Sequence, residues 1–310
     1  MDKKNIAVEV SKVTISFGSF KAVDDISFSV ERGEIFGFLG ANGAGKTTTI
    51  RAICGLITPD SGYINVAGFE PKAGPSAVKS KIGYMSQKFT LYNDLTIHEN
   101  LSFAAALRKM PDDVFKSRVK ELAGFVGLKY PGGTLVKNLP AGARQQVALV
   151  SAILHGPEII FLDEPTSGVA PDARAKFWEL IRALAKSGKT VFVTTHYLDE
   201  AENCGRIAMM HAGKIIALDT PQNLKEKIFT EPIYEVPAGE PAAEELVKKT
   251  TELGIAEIHL YGRYYHFAVK DSPAWKQLTE SGGTKFNFES IKPTIEDVFI
   301  RAIRDAENEK

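Results

Sequence analysis

Residues 40–47 read Gly-Ala-Asn-Gly-Ala-Gly-Lys-Thr, with the spacing G-x-x-x-x-G-K-[ST]. Glu34–Leu39 before this stretch reads as a short buried strand. Thr48–Leu56 after it reads as a helix that stops near Gly55 and Pro59. A glycine-rich turn between strand and helix lets the backbone curl so that its N–H groups face inward, and the helix N-terminus adds its positive end. Gly40, Ala41, Asn42, Gly43, Ala44, Gly45, Lys46 and Thr47, with Thr48 behind them, therefore form a candidate phosphate cradle. Lys46 is placed to reach the β- and γ-phosphates of a nucleotide, and the Thr47 hydroxyl to ligate Mg2+.

Further chemistry-bearing residues follow along the chain. Ile6, Val8, Val10, Val13, Ile15 and Phe17 alternate as a strand, and Ile26–Val30 alternates after the Gly18-Ser19 turn. Phe17 could stack on a purine base or sit in the core. Gln87 ends the apolar run Ile82–Met85 and opens a polar segment. Its amide oxygen suits Mg2+ and water, although a surface residue would look the same. Residues 90–155 are helical in pattern, with Thr96 and Glu99 forming a capping box. Ile159–Leu162 is an apolar run ending in Asp163-Glu164, like a buried parallel strand that delivers carboxylates to a ligand crevice. Asp163 would hold Mg2+ through water and Glu164 would polarise an attacking water; the alternative is a pair of solvated turn acids. Thr190–Thr195 repeats the design and ends at His196, a γ-phosphate contact or a structural histidine. Arg206–Met210 and Lys214–Leu218 flank a hairpin turn.

Together these residues resemble the nucleotide-binding domain of ATP-binding cassette (ABC) proteins over residues 5–228. The phosphate loop, Gln87, the Asp163-Glu164 strand, the Ser167-Gly168-Val169 turn and His196 occur in that family's order, and Phe17 matches its base-stacking aromatic. The resemblance implies an α/β fold. A P-loop NTPase-type parallel sheet core would carry an antiparallel β lip and a helical subdomain at about 88–155. It also implies an Mg2+-dependent ATPase that works as a pair, each ATP held between the loop of one subunit and a signature turn of the other. At the matching position this chain has Leu139-Pro140-Ala141-Gly142-Ala143 rather than Leu-Ser-Gly-Gly-Gln. Pro140 lacks even a backbone N–H, so Gly142 and the helix end near Ala141 remain as anion contacts. Ala170 stands where the family usually has an aspartate. Catalytic roles fall to Glu164, His196 and Gln87, metal ligation to Thr47, Gln87 and Asp163.

From about residue 229 the pattern changes to β-α-β-β-α-β, expected as a small ferredoxin-like α+β domain over 229–310. A last helix presents Ile295, Val298, Phe299, Ala302 and Ile303 on one face. That face would dock on its own domain or on a second copy. The Pro-Thr-Ile-Glu-Asp-Val-Phe tail resembles ATPase subunits of ABC-2-type exporters, with a multidrug branch suggested by the stretches around Leu139 and Glu164. The implied partners are ABC-2-type transmembrane permease subunits and a second ATPase subunit, in a homodimer. Phe89 and Leu91 are candidate permease contacts or subdomain core. An importer ATPase, or a weak cassette paired with a more active chain, are the alternatives. The 38 basic and 38 acidic residues cancel and give no sign of a nucleic-acid partner. No signal peptide and no window of about 18 apolar residues occurs. The expected location is therefore cytoplasmic, peripheral on the inner membrane face through the permease.

Overall fold

The computed structural model describes residues 5–87, 91–281 and 288–308. They divide into two units, Met1–Pro221 and Gln222–Lys310. In the first, β1 (Ile6–Phe17) and β2 (Phe20–Glu31) pair antiparallel around a turn at Gly18. β3 (Ile35–Leu39) runs through the glycine-rich loop into α1 (Lys46–Ile53). β4 (Ser61–Val66) returns to the far side of β1, giving an antiparallel lip of order β2-β1-β4. α2 (Pro75–Lys81) and β5 (Ile82–Met85) lead to three helices, α3 (Ile97–Leu107), α4 (Asp112–Phe125) and α5 (Ala141–Ile153). Then come β6 (Ile159–Asp163), α6 (Pro171–Lys186), β7 (Thr190–Thr195) and the hairpin β8 (Arg206–His211) and β9 (Lys214–Asp219).

The central sheet has the order β5-β6-β7-β3-β8-β9, parallel throughout except for the β8–β9 edge. Every residue of β6 and β7 is buried, as continuous apolar runs covered on both faces require. Phe28 of the lip stacks on Phe36 at 5.6 Å, and Phe36, Phe38, Phe161 and Phe192 continue the aromatic core between lip and sheet. The register sets Leu39 opposite Thr195 and Asp163 opposite Thr194. The C-terminal ends of β3, β6 and β7 thus finish side by side, under the loop. Helix α1 begins two residues before the expected Thr48, because Gly45, with φ 107°, is already its N-cap. The Thr96–Glu99 capping box is formed as expected, Glu99 accepting from the Thr96 N–H at 2.7 Å. Leu91 is buried and belongs to the core rather than to a partner-facing surface; Phe89 lies outside the described residues.

The second unit runs α7 (Pro221–Ile228), β10 (Ile233–Pro237), α8 (Pro241–Leu253), β11 (Ala256–Tyr261), β12 (Tyr264–Val269), α9 (Ser272–Ser281), β13 (Glu289–Ile291) and α10 (Ile295–Asn308). Its antiparallel sheet has the order β11-β12-β10-β13, the ferredoxin-like arrangement. One face carries Val236, Phe267 and Val269 into a core with Ala243, Leu246 and Trp275 of α8 and α9. On α10, Ile295, Val298 and Ala302 are buried and Asp297 bonds to His266 of β12. The terminal helix therefore docks on its own domain.

Candidate functional site

The loop between β3 and α1 is built from glycines that no other residue could replace without strain. Gly40, Gly43 and Gly45 have φ of 153°, 83° and 107°. A Cβ on Gly45 would lie 2.4 Å from the Ala22 carbonyl of β2, and one on Gly40 2.3 Å from the Met210 carbonyl of β8. The loop is thus clamped between lip and sheet. Gly45 caps α1 without any side-chain hydrogen bond, and no acidic residue occupies the first turn. The leading N–H groups of α1 therefore lack intrahelical partners and favour an anion. Lys46 is buried and folds back over the loop, its Nζ donating to the Gly40 carbonyl at 2.6 Å and the Ala41 carbonyl at 3.1 Å. Burial lowers its pKa, against the pull of Glu164 and Asp163. Two carbonyls are weak partners for an ammonium; phosphate oxygens in the same cradle would replace them.

Asp163, only 2% exposed, is the hub of the metal-ligand candidates. Its carboxylate accepts from Thr194 Oγ1 at 2.6 Å, Thr47 Oγ1 at 3.2 Å and the Tyr84 hydroxyl at 3.3 Å. Burial and the negative charge of Asp163 push the Tyr84 phenol up to about 12, so it remains a donor. A carboxylate and a hydroxyl side by side at a phosphate cradle form an all-oxygen donor set, which fits a hard dication such as Mg2+. Glu164, the next residue, has φ 49°. This left-handed backbone costs a non-glycine residue about 1–2 kcal/mol. It is pinned by two bonds from the Glu164 N–H, to the Thr194 carbonyl at 3.1 Å and to Thr194 Oγ1 at 2.9 Å. The twist turns the side chain toward Gln87 and His196. Gln87 Nε2 donates to Glu164 Oε2 at 2.9 Å, and His196 Nδ1 lies 3.2 Å from the same oxygen.

Lys46, Thr47, Gln87, Asp163, Glu164 and His196 therefore meet at one end of the central sheet, and Asp163 and Glu164 are buried rather than solvated turn acids. Thr48 sits half-buried in the first turn of α1. Ala41, Asn42 and Gly43 form the exposed rim of the loop, and Ala44 is buried beneath it. Phe17 is not a core residue: it is 54% exposed at the end of the β1–β2 hairpin, paired with Phe20, three residues short of the Val23 that follows Ala22 at Gly45. Leu139–Gly142 are placed elsewhere. Leu139 is buried, Pro140 is the exposed N-cap of α5 with no side-chain cap bond, and Gly142 approaches Ala173 of α6. Ala170 is likewise an uncapped start, that of α6.

Sequence reasoning missed the residues that hold the site in place. Thr194 and Tyr84 look like ordinary strand residues. Glu200, buried in the turn after β7, accepts from Thr166 Oγ1 at 3.0 Å and Thr195 Oγ1 at 2.8 Å and faces Arg174 Nε at 3.4 Å. It ties the segment after Glu164 to the segment that carries His196. The available signal was an acid four residues beyond His196, at the mouth of a strand.

A family model described as ABC transporter matches residues 23–167. The chain is 43% identical over 218 residues to the probable multidrug ABC transporter ATP-binding protein YbhF of Escherichia coli (strain K12), covering 70% of this chain and 38% of that protein's length. It is 32% identical over 297 residues to the Nod factor export ATP-binding protein I of Rhizobium leguminosarum bv. viciae, covering 96% of this chain and 94% of that one. A solved dimeric ATP-binding cassette in a post-hydrolysis state, bound to ADP and Pi, superposes with a TM-score of 0.63 at 25% identity, over 69% of this chain and 98% of that one.

Proposed function

The chain belongs to the ABC transporter family, and from that premise we propose that it is the ATP-binding and ATP-hydrolysing subunit of an ABC-2-type exporter, paired with a second ATPase subunit and with separate membrane permease chains. One observation carries the reading: phosphate-binding, metal-ligating and water-orienting groups converge at the shared end of β3, β6 and β7. The names of the relatives support export, and a multidrug cargo is one option among them. Among the described residues no helix is long and apolar enough to cross a membrane, which suits a motor held at the membrane by partners.

The residues have distinct tasks. Lys46 leaves the Gly40 and Ala41 carbonyls for the β- and γ-phosphate oxygens, while the α1 N–H groups take the remaining charge. Phe17 offers an exposed ring to the adenine. Thr47 and Asp163 would hold Mg2+, with Gln87 beside them, and the bound ion would supply charge neutralisation on the phosphates. Glu164 Oε2 accepts a proton from the attacking water once Gln87 and His196 release or share that oxygen, and His196 then contacts the γ-phosphate. The N-terminus of α5, with Leu139–Gly142, lies apart from this cluster and serves the partner's nucleotide. Pro140 offers that nucleotide no hydroxyl and no N–H, which favours a second reading: a weak cassette whose partner chain is the more active one.

Mg2+-ATPase turnover and oligomeric state with ATP, compared between wild type and Glu164→Gln, test the proposal. Turnover in wild type, with at least about 100-fold loss and an ATP-trapped homodimer in the variant, is the expected result. No turnover from the wild-type chain, alone or with its permease, overturns hydrolysis. Turnover only with a different cassette chain selects the second reading.

A further inference from the structure

Across the sheet of the second unit, three strands place polar groups in one transverse row. His259 of β11 lies opposite His266 of β12, and His266 lies opposite Glu235 of β10. Side chains directly opposed in this way share a face, here the face that α10 covers. The other face is the apolar core. From α10, Asp297 enters the row: its Oδ1 lies 2.7 Å from His266 Nδ1 and in close contact with His259 Nε2. Its other oxygen, Oδ2, is fully used by the Thr294 N–H at 2.6 Å and the Thr294 hydroxyl at 2.8 Å. The carboxylate is therefore fixed by the start of α10, leaving Oδ1 aimed at the two imidazoles.

We propose that His259, His266 and Asp297 form a binding site for a first-row divalent cation of the zinc type, with Glu235 orienting His266 from outside. The three ligand atoms lie within 4.8 Å of one another. His259 Nε2 is buried in close ion-pair contact with Oδ1, which His266 Nδ1 also approaches at 2.7 Å, so one carboxylate oxygen serves both imidazoles. A cation bound by both nitrogens and Oδ1 would relieve that crowding. His266 Nε2 lies 3.3 Å from Glu235 Oε2, the arrangement by which a carboxylate fixes the tautomer of a metal-binding histidine. The Tyr261 ring stacks on His266 at 4.8 Å and holds its plane.

Two nitrogens and one oxygen select zinc, cobalt or nickel over magnesium or calcium. Metal bonds of about 2.0–2.2 Å set tetrahedral ligand atoms roughly 3.3 Å apart, so His266 Nδ1 has to back away from Oδ1 by roughly half an ångström and His259 Nε2 by more. A cavity of about 10 Å3 bordered by His259 and Asp297 has room for about one water, the fourth ligand of an open tetrahedral site. Arg301, which also borders it, directs its charge to Glu231 and Glu257.

The test uses the untagged full-length chain, stripped with a chelator and titrated with Zn2+ or Co2+ alone, without nucleotide. The expected result is one ion per chain, with the visible absorption of four-coordinate Co2+. His259→Gln should abolish the absorption, and Glu235→Gln should weaken affinity about 10–100-fold. No stoichiometric uptake by the wild-type chain overturns the proposal whatever the variants do. Uptake unchanged in folded His259→Gln and Glu235→Gln also overturns it, by placing the ion elsewhere. ATP turnover enters none of these readouts, so the result stands independently of the proposed motor.

Discussion

Thr194→Val separates the hydroxyl of the hidden organiser from its shape. Thr194 is fully buried, and its Oγ1 both donates to Asp163 at 2.6 Å and accepts the Glu164 N–H at 2.9 Å. Valine keeps the volume and the β-branched strand geometry. It removes one hydrogen bond to a buried carboxylate, worth about 1.5–3 kcal/mol. Two features limit the loss. The Glu164 N–H keeps the Thr194 carbonyl at 3.1 Å, so no donor is orphaned. Asp163 keeps Thr47 and Tyr84. The expected cost is about 2 kcal/mol, a factor of roughly 30 in the folding equilibrium. Thr194→Ser keeps the hydroxyl and loses one methyl group, about 0.8 kcal/mol. Denaturant unfolding without nucleotide, followed by an Mg2+ titration of ATP turnover, reads both effects. Valine should shift the unfolding midpoint down and raise the Mg2+ requirement about tenfold; serine should restore the Mg2+ requirement. A valine variant with the wild-type midpoint, or a serine variant as impaired as valine, refutes the role assigned to the hydroxyl.

Other perturbations separate sterics from chemistry. Gly45→Ala should abolish nucleotide binding in equilibrium dialysis, because its Cβ meets the Ala22 carbonyl at 2.4 Å, whereas Gly43→Ala, with open space around it, should lose only about 1–2 kcal/mol of stability. Phe17→Ala should weaken ATP affinity about tenfold, the lower part of the range for base stacking, and leave the thermal midpoint unchanged because the ring is exposed. His155 offers a pH test. Burial, with Arg108 nearby, lowers its pKa to about 4, although its ring bonds the Ile82 carbonyl at 3.0 Å. The unfolded chain takes up this proton near 6.5 and the folded chain only near 4. Stability is therefore lost as pH falls through that window, and His155→Gln should flatten that part of a stability–pH profile measured by denaturant unfolding.

What was legible in the sequence and what was not divides along physical lines. The loop, the Asp163-Glu164 strand end and the two-unit organisation follow from local chemistry: glycines where φ must be positive, apolar runs where both faces are buried, and caps where helices start. The supports of the site do not. Thr194 reaches Asp163 across β6–β7 pairing, and Tyr84 reaches it from β5. In sequence a threonine and a tyrosine in strands are indistinguishable from residues chosen for β propensity. The left-handed Glu164 was equally hidden, since nothing in Asp-Glu-Pro announces a positive φ.

The same limit governs the second unit, where the β-α-β-β-α-β order could be read but the alignment of His259, His266 and Glu235 could not. A slip of one residue in the β11–β12 hairpin would turn His259 into the apolar core. The alignment is thus a property of register, fixed by the Tyr261–Tyr264 turn and by Phe267, Val269 and Val236 packing on the opposite face. Apolar side chains would serve a sheet face covered by a helix at no desolvation cost, whereas this face carries two histidines, Glu235 and an almost wholly buried Asp297. Burying such groups is unfavourable unless they are fully paired, and here two histidines converge on one carboxylate oxygen, Asp297 Oδ1. A shared cation would take the two histidine nitrogens and Asp297 Oδ1 as ligands in place of that crowded ion pair, so the local electrostatic cost and the proposed metal site are the same feature.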